Sequence, residues 1–374
     1  MFVHSMKASP VLGDLTESHD NNFNLIRMIA AIAVLVAHSF TLVTGDARNE
    51  PFSWVFGKSI GSMAVDFFFV ASGLLITGSL LRRPSIREYA LSRILRIFPA
   101  LILANLLCVV VLGPLVTSEH LLSYFSNGHT FKFFVLNNTL LVGLQYQLPG
   151  VFGENPYPFA VNGSLWTLPH ELRMYILIAL SYVLSGLIAG EKKEKFLSII
   201  VPSAAIIGLA IHFLSEFALI DYFHGKKWPW LLFLFFSGAS LFLHRNKIKL
   251  STRAFTTLFF LLCVSAFNST AFGFFYSFVV PYMVIYLAYI PGGLVRKYNY
   301  LGDYSYGVYI YAFPVQQSIV FFFPDSRVGD LILSSLLATL TLSVLSWTFV
   351  EKPSLGFKKT ASLLLARVRF RNAS

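Results

Sequence analysis

Apolar stretches of about 20 residues follow one another along almost the whole chain, and they constrain the fold more than any other feature. An α-helix of that length crosses the hydrocarbon core of a bilayer. We therefore predict an all-α integral membrane protein with about ten transmembrane helices. The predicted spans are 23–43, 60–81, 97–116, 165–187, 196–217, 228–243, 255–271, 272–290, 302–323 and 329–350.

Charge is scarce and unevenly placed between these spans. Only 13% of the residues are charged, against about 25% in a soluble domain, and the net charge is +11. Lys and Arg concentrate in alternate connections, which the positive-inside rule assigns to the cytoplasm together with both termini. We thus expect a cytoplasmic segment 1–22, a transmembrane domain 23–350 and a basic cytoplasmic tail 351–374. The basic excess sets topology, and we expect no nucleic-acid partner.

The remaining connections give weaker signals. Residues 117–164 are weakly apolar and broken by Pro and Gly, so we expect them outside, with partial re-entry into the membrane. The segment HELRM at His170 has Met174 where a zinc-binding HExxH helix needs its second His. Cys108 and Cys263 both fall in predicted spans, which does not favour a disulfide or a cysteine metal site. We predict no bound metal.

Two ionisable residues, Arg27 and His38, lie inside the first span. Eleven residues close about three helical turns, so both side chains project from one face, about 16 Å apart along the axis. A charged residue at the centre of a membrane helix costs about 2.5–3.5 kcal/mol on insertion scales, and such residues usually face a cavity and carry function. The alternative for His38 is a hydrogen bond at the membrane interface.

Two carboxylates are predicted at the depth of His38. Asp66 in the second span and Glu171 in the fourth lie about as far from the outer boundary as His38 does. A His beside carboxylates suits a general base, which acyl transfer to a hydroxyl requires. We therefore take His38, Glu171 and Asp66 as catalytic candidates, and Arg27 as a functional candidate because it shares a face of the helix with His38.

Arginines mark the opposite, inner side. Arg93 and Arg96 are three residues apart, and so are neighbours on one helical face where the third span enters the membrane. Such a pair can bind phosphate bidentately, although it can also serve only as a topology signal. The ninth span carries several Tyr residues and Gln316 near Pro314, and these polar groups either line the same cavity or sit at the interface.

Six segments, in order, resemble motifs of the acyltransferase-3 family of membrane O-acyltransferases. They are FNLIRMIAAIAVLVAHS, VDFFFVASGLLI, SRILRIFPA, GSLWTLPHELRMY, LGDYSYGVYIYAFPVQQ and FVEKP. The resemblance implies that His38 is the catalytic base, Arg27 its partner on the helix, and Arg93 and Arg96 the donor-binding residues. The substrate-binding candidates in the matching motifs are Trp166, Tyr175, Tyr306, Tyr309 and Gln316.

The resemblance also implies a reaction and a location. Family members generally take an acyl group, most often acetyl, from cytoplasmic acyl-CoA. These enzymes lie in the bacterial inner membrane and deliver the acyl group to a hydroxyl of a surface polysaccharide or lipid-linked glycan. We expect the protein to be surrounded by membrane lipids, and a homo-oligomer is compatible with the sequence. Ala312 stands where many relatives have a His and Thr167 replaces the usual Ser, and we expect no C-terminal esterase-like domain.

Two other classes of protein stay open on the residues alone. Buried Arg, His and carboxylates also suit a transporter or flippase, although the two halves of the sequence show no related pair of broken helices. A purely structural partner of a glycan pathway does not explain charged residues at membrane depth.

Overall fold

A computed structural model describes residues 9–18, 20–140, 143–217, 219–220, 222 and 225–357. Over these ranges the chain forms helices joined by connections, with isolated β-bridges as the only extended pairing. The helices are α1 Leu12–Glu17, α2 Phe23–Thr44, α3 Ser53–Phe56, α4 Ile60–Arg82, α5 Ile86–Leu107, α6 Gly113–Val116, α7 Leu121–Ser126, α8 Gly128–Thr139, α9 Leu168–Ala189, α10 Lys193–Glu216, α11 Trp228–Leu243, α12 Thr252–Ser265, α13 Ser269–Tyr289, α14 Ser305–Phe322 and α15 Val328–Ser346.

The all-α membrane fold is confirmed, and each predicted span overlaps a helix. In the described part of the chain, six helical stretches are long and apolar enough to cross a membrane, one of which contains both α9 and α10. Helices α11 and α12 are apolar but shorter. The number of crossings therefore stays a prediction.

Helix boundaries differ from the predicted spans mainly in α5. The sequence predicts its span from residue 97, but the helix begins at Ile86 because the Ser85 side chain caps it by accepting a hydrogen bond from the Glu88 backbone N–H. Arg93 and Arg96 therefore lie within a continuous helix rather than in a loop. This helix continues through a π turn, Cys108–Leu112, into α6.

Helix α4 is the centre of the packing, between α2 and α11. Gly73 and Gly238 mark the α4–α11 crossing. A Cβ at Gly73 would lie 1.8 Å from the Phe235 carbonyl oxygen, and one at Gly238 would lie 2.0 Å from that of Val70. Small residues at a crossing let two membrane helices meet backbone to backbone. On its other side, α2 packs against α14, which in turn packs against α15.

The N-terminal segment contacts connections that the charge pattern assigns to the same side of the membrane. The Leu12 N–H donates to the Ile248 carbonyl at 2.8 Å. Asn22 Nδ2 donates to the Pro291 carbonyl at 2.8 Å, and Arg296 pairs with Asp20 at 3.1 Å. These contacts place the connections after α11 and α13 at one end of the helices, as predicted. Which side of the membrane this end faces stays a prediction.

The segment after α6 holds α7, α8 and an irregular stretch that ends at a 3-10 helix, Gly163–Thr167. Tyr124, Phe133 and Phe152 are fully buried there and form a small apolar cluster. Gln317 of α14 fixes the last part of the stretch, since its Nε2 donates to the carbonyls of Tyr157 and Ala160 at 2.9 and 2.8 Å. Of the predicted tail, residues 352–357 continue the last helix and 358–374 lie outside the described residues.

Candidate active site

A cavity of about 350 Å³ lies among α2, α4, α5, α9 and α14. Seven of the predicted site residues line it: Arg27, Arg93, Arg96, Glu171, Tyr175, Tyr306 and Tyr309. Phe68, Phe69 and Leu75 of α4 form part of its apolar wall. A concave, mostly apolar site with a few convergent polar groups is typical of a small-molecule pocket.

One end of the cavity is a network of charged residues. Arg27 Nη1 and Arg96 Nη2 contact the same oxygen, Oδ2 of Asp303, at 2.8 and 2.6 Å. Arg96 also pairs through Nη1 with Glu351 Oε2 at 3.1 Å. Ser305 Oγ donates to the second Asp303 oxygen at 2.6 Å. The network joins α2, α5, the start of α14 and the turn after α15.

Asp303 lies in the connection before α14. Burial raises the pKa of its carboxyl, but the charges of Arg27 and Arg96 outweigh this effect and lower the pKa to about 2. The carboxylate therefore stays ionised and balances part of the positive charge at this end of the cavity.

Arg93 differs from the other two arginines. It lines the cavity with its guanidinium 5.8 Å from the centre of the Tyr175 ring. Its Nε is buried without a hydrogen-bond partner, and it forms no ion pair among the residues that the structure describes. A buried donor without an acceptor is unfavourable unless a ligand or water supplies one. Arg93 is thus the guanidinium available to an anionic ligand.

The hydroxyl groups of Thr167 and Tyr309 lie at the other end of the cavity, and those of Tyr175 and Tyr306 lie between the two ends. The Tyr309 hydroxyl donates to the Ser164 carbonyl. The Thr167 hydroxyl lies 2.5 Å from the Tyr309 hydroxyl. The Tyr175 hydroxyl donates to Glu171. Tyr306 is bonded to the protein backbone, since its hydroxyl donates to the Ile97 carbonyl at 2.9 Å. Thr167 and Tyr309 face the cavity, whereas Ser164 is fully buried behind them.

His38 lies beyond this layer and does not line the cavity. Its Nδ1 is 3.5 Å from Ser164 Oγ, and its ring packs edge-on against Phe313 at 5.2 Å between centroids. The predicted His38 and Glu171 are thus on opposite sides of one layer of residues, made by the 3-10 helix and Tyr309. The layer is fixed to α14 because Asn162 Nδ2 donates to the Ile310 carbonyl at 2.9 Å.

Three predicted site residues lie elsewhere. Asp66 is buried between α4, α11 and α13, where its carboxylate contacts Lys58 Nζ at 2.7 Å, Trp230 Nε1 at 2.7 Å and the Tyr276 hydroxyl at 3.0 Å. The expected layer of His38, Asp66 and Glu171 is therefore not formed by direct contact. Two residues at the same predicted depth need not point in the same direction. The face of α4 that carries Asp66 points to α11 rather than to the cavity.

Gln316 and Trp166 also do not line the cavity. Gln316 joins α14 to α2 beside His38, since its Nε2 donates to the Leu35 carbonyl at 2.8 Å and to Ser39 Oγ at 2.6 Å. Trp166 packs against the His170 ring at 6.1 Å, and Lys227 Nζ lies 5.7 Å from its ring centre. Neither position is in contact with the residues at the arginine end of the cavity.

Four polar residues of this region were not predicted as site residues: Glu50, Ser164, Asp303 and Glu351. The last three lie in motifs that carry the family resemblance, so the motifs pointed to the segments without assigning these side chains. Glu50 lies in the connection after α2, where nothing in the spacing indicates that it returns to that helix and accepts a hydrogen bond from Thr41.

Comparisons with known proteins agree with the resemblance. A family model described as an acyltransferase domain matches residues 20–350. An O-acetyl transferase of Shigella phage Sf6 is 30% identical over 340 residues, which cover 89% of this chain and 95% of that protein. Nodulation protein 10 of Rhizobium leguminosarum bv. viciae is 28% identical over 94% of this chain and 97% of its own length.

A third relative is longer than this chain. O-acetyltransferase OatA of Staphylococcus aureus (strain MRSA252) is 22% identical over 92% of this chain but only 59% of its own length. No solved structure matches the chain. The family model covers well over half of the sequence and its residues include the whole cavity lining up to Trp347. The chain therefore belongs to the acyltransferase-3 family and is an acyltransferase built from membrane-spanning helices.

Proposed function

We propose that this enzyme transfers an acetyl group from acetyl-CoA to a hydroxyl of a surface polysaccharide or lipid-linked glycan. The observation that carries the proposal is the order of groups along the site. Three arginines lie at one end of the cavity, and His38 lies one residue layer beyond the other end. The names of two relatives, an O-acetyl transferase and an O-acetyltransferase, favour acetyl as the acyl group.

The arginine end suits the phosphates of coenzyme A. Arg93 lines the cavity and forms no ion pair among the described residues, and Arg27 and Arg96 add positive charge that Asp303 only partly balances. Guanidinium groups bind phosphate through charge-assisted hydrogen bonds. The acyl group would then extend along the apolar wall of α4 toward Thr167 and Tyr309.

The His38 end suits the acceptor. In the proposed step, the imidazole of His38 takes the proton of the acceptor hydroxyl while its oxygen attacks the thioester carbonyl. The carbon–oxygen bond forms and the carbon–sulfur bond breaks, so that coenzyme A leaves with the proton. The layer made by the 3-10 helix and Tyr309 lies between His38 and the cavity. For the reaction to occur, this layer has to move or admit the acyl chain.

We place the arginine end of the cavity on the cytoplasmic side of a bacterial inner membrane, because acetyl-CoA is made in the cytoplasm. The basic connections at the same end of the helices favour that orientation. Reporter fusions after residues 190 and 357 should be active as cytoplasmic reporters, and a fusion at residue 48 as an external one. The reverse pattern would contradict the orientation.

The test of activity uses detergent-purified protein. Acetyl-CoA carrying a labelled acetyl group is incubated with a glycan extract of the host cells, and mass spectrometry follows the gain of one acetyl group per acceptor. We expect product with the natural chain and none with a well-inserted His38→Ala variant. Product made at the natural rate by that variant would contradict the role of His38. A transporter would need two compartments and would give no product in detergent.

A further inference from the structure

Glu50 is a carboxylate that the structure holds against the end of α2 next to His38: a Cβ added at Gly61 of α4 would lie 2.8 Å from Ala37 Cβ and 3.6 Å from Glu50 Oε2. The Thr41 hydroxyl donates to Glu50 Oε1 at 2.9 Å. Thr41 lies three residues after His38 on α2, about one helical turn further along the same side. The carboxylate is therefore held next to the turn of α2 that carries His38, although it belongs to the connection that follows.

The connection that carries Glu50 is folded back onto the end of α2. Gly45 ends the helix with a φ of 74°, and its N–H donates to the Thr41 carbonyl at 2.8 Å. A Cβ at this position would lie 2.6 Å from the Pro156 carbonyl oxygen, so both the backbone conformation and the available space require glycine. The turn returns the chain toward His38.

Backbone hydrogen bonds fix Glu50 itself. Its N–H donates to the Ala47 carbonyl at 3.2 Å, and its carbonyl accepts from the Ser53 N–H at 3.1 Å. The next carbonyl, that of Pro51, accepts from the Ile60 N–H at 3.0 Å and ties the connection to the start of α4. Glu50 is thus a side chain on a defined turn rather than on a free loop.

The charge of Glu50 is not balanced by a basic side chain. It is half-buried, and in the described part of the chain no Lys or Arg forms an ion pair with it. Asp46, in the same connection, contrasts with it because it pairs with Arg48 at 2.7 Å. A half-buried carboxylate near an imidazole attracts the positive charge that the imidazole gains when it takes a proton.

We propose that Glu50 is a positioning residue that stabilises the protonated His38 during acyl transfer. The inference rests on the function proposed above. His38 removes the hydroxyl proton as the acceptor oxygen bonds to the acyl carbon, and the proton passes to the sulfur when the carbon–sulfur bond breaks. Between these events the imidazole carries a positive charge, which the Glu50 carboxylate balances. Glu50 itself forms no covalent bond and gains no proton.

The decisive variant is Glu50→Gln, which keeps the size and one acceptor oxygen but removes the charge. We expect kcat to fall about 10- to 100-fold, part of the effect of a general base. The KM for acetyl-CoA should stay unchanged, because the donor-binding arginines lie at the other end of the cavity. Glu50→Asp should recover part of the lost kcat. The matched control, Asp46→Asn, removes a carboxylate of the same connection that pairs with Arg48, and it should keep kcat within about twofold of the natural chain.

The assay is acetyl transfer from labelled acetyl-CoA to the host glycan extract by detergent-purified protein. If the natural chain makes no product, the proposed function fails. If the natural chain is active, His38→Ala is inactive and Glu50→Gln keeps its full kcat, only the role of Glu50 is overturned. It is also overturned if Glu50→Gln and Glu50→Asp lose equal activity in proportion to their loss of folded protein.

A second variant keeps the test valid if Glu50→Gln does not accumulate in the membrane. Thr41→Val removes the hydrogen bond to Glu50 and leaves the charge in place. We expect a smaller fall in kcat, about 3- to 10-fold, again with an unchanged KM for acetyl-CoA. An unchanged kcat in this variant would overturn the proposal.

Discussion

Arg96 and Asp303 form the shortest ion pair of the cavity, with 2.6 Å between Nη2 and Oδ2, and Arg27 shares the same carboxylate oxygen. One carboxylate thus holds two arginines from two helices. The Asp303 side chain is only 15% exposed, and so is that of Arg96. Two half-buried guanidinium groups close together repel each other unless a negative charge lies between them. Asp303 is therefore the carboxylate that offsets the repulsion between Arg27 and Arg96, and Glu351 adds a second negative charge beside Arg96.

Asp303→Asn should destabilise the protein, because it leaves Arg27 and Arg96 without their shared negative charge. Breaking a buried ion pair by removing one partner typically costs about 3–5 kcal/mol. Thermal unfolding in detergent, followed by tryptophan fluorescence, should show a clear fall in the midpoint temperature. Asp325→Asn, at an exposed carboxylate near the start of α15, is the matched control and should leave the midpoint unchanged. Equal midpoints for the two variants would contradict this role of Asp303.

Arg93→Ala should weaken acetyl-CoA binding with little effect on stability. Arg93 forms no ion pair in the described residues, so its loss leaves no uncompensated charge, whereas the loss of Arg96 would break two pairs. A hydrogen bond to a charged group contributes about 1.5–3 kcal/mol, which corresponds to roughly a 10- to 150-fold rise in Kd. Isothermal titration with coenzyme A measures the change.

The control for this prediction lies on the same helix. Arg87 is exposed, about a turn and a half before Arg93, and does not line the cavity. Arg87→Ala should bind coenzyme A as the natural chain does. An equal loss of affinity in both variants would mean that general positive charge, and not the position of Arg93, attracts the ligand.

Gly73→Ala should separate α4 from α11. The added methyl group would lie 1.8 Å from the Phe235 carbonyl oxygen and 2.8 Å from its carbon, and the backbone of a packed helix has no room to yield. Overpacking of this kind costs about 1–3 kcal/mol or more. Gly186→Ala, in α9, is the control, since nothing lies within 4 Å of its added Cβ and alanine favours a helix. A lower midpoint temperature for Gly73→Ala alone is the expected result.

The parts of the site that depend on helical periodicity were predictable from the sequence. Arg27 and His38 share a face because eleven residues close about three turns, and Arg93 and Arg96 share one because three residues nearly close a turn. Both pairs lie where their spacing indicates, on α2 and α5. Spacing of this kind is a local property, and helix geometry is the same whatever packs around it.

The pairings between distant segments were not predictable in the same way. Arg27 and Asp303 are 276 residues apart, and Arg96 and Glu351 are 255 apart. Such contacts depend on which helices pack together and on how each is rotated. Asp66 illustrates this limit, because a predicted depth in the span does not fix the direction in which the side chain points. Glu50 illustrates another, since a glycine turn rather than a helix brings it back to α2.

Asp66 tests whether the direction of a side chain on its helix, rather than its predicted depth in the membrane, decides its role. Its carboxylate is buried against Lys58, Trp230 and Tyr276. We expect Asp66→Asn to lower the unfolding midpoint markedly, because Lys58 Nζ would lose its counter-charge while still lying 4.2 Å from the centre of the Trp230 ring. Adding Lys58→Met should recover much of the loss, since the uncompensated charge is then gone. The double-mutant cycle measures the coupling between the two residues. Purely additive effects would mean that the ion pair does not stabilise the α4–α11–α13 packing.

Acetyl transfer by the stable double variant then tests the prediction that Asp66 is catalytic. If the folded double variant loses kcat, Asp66 stays a catalytic candidate. If it retains the natural kcat, Asp66 has no catalytic role.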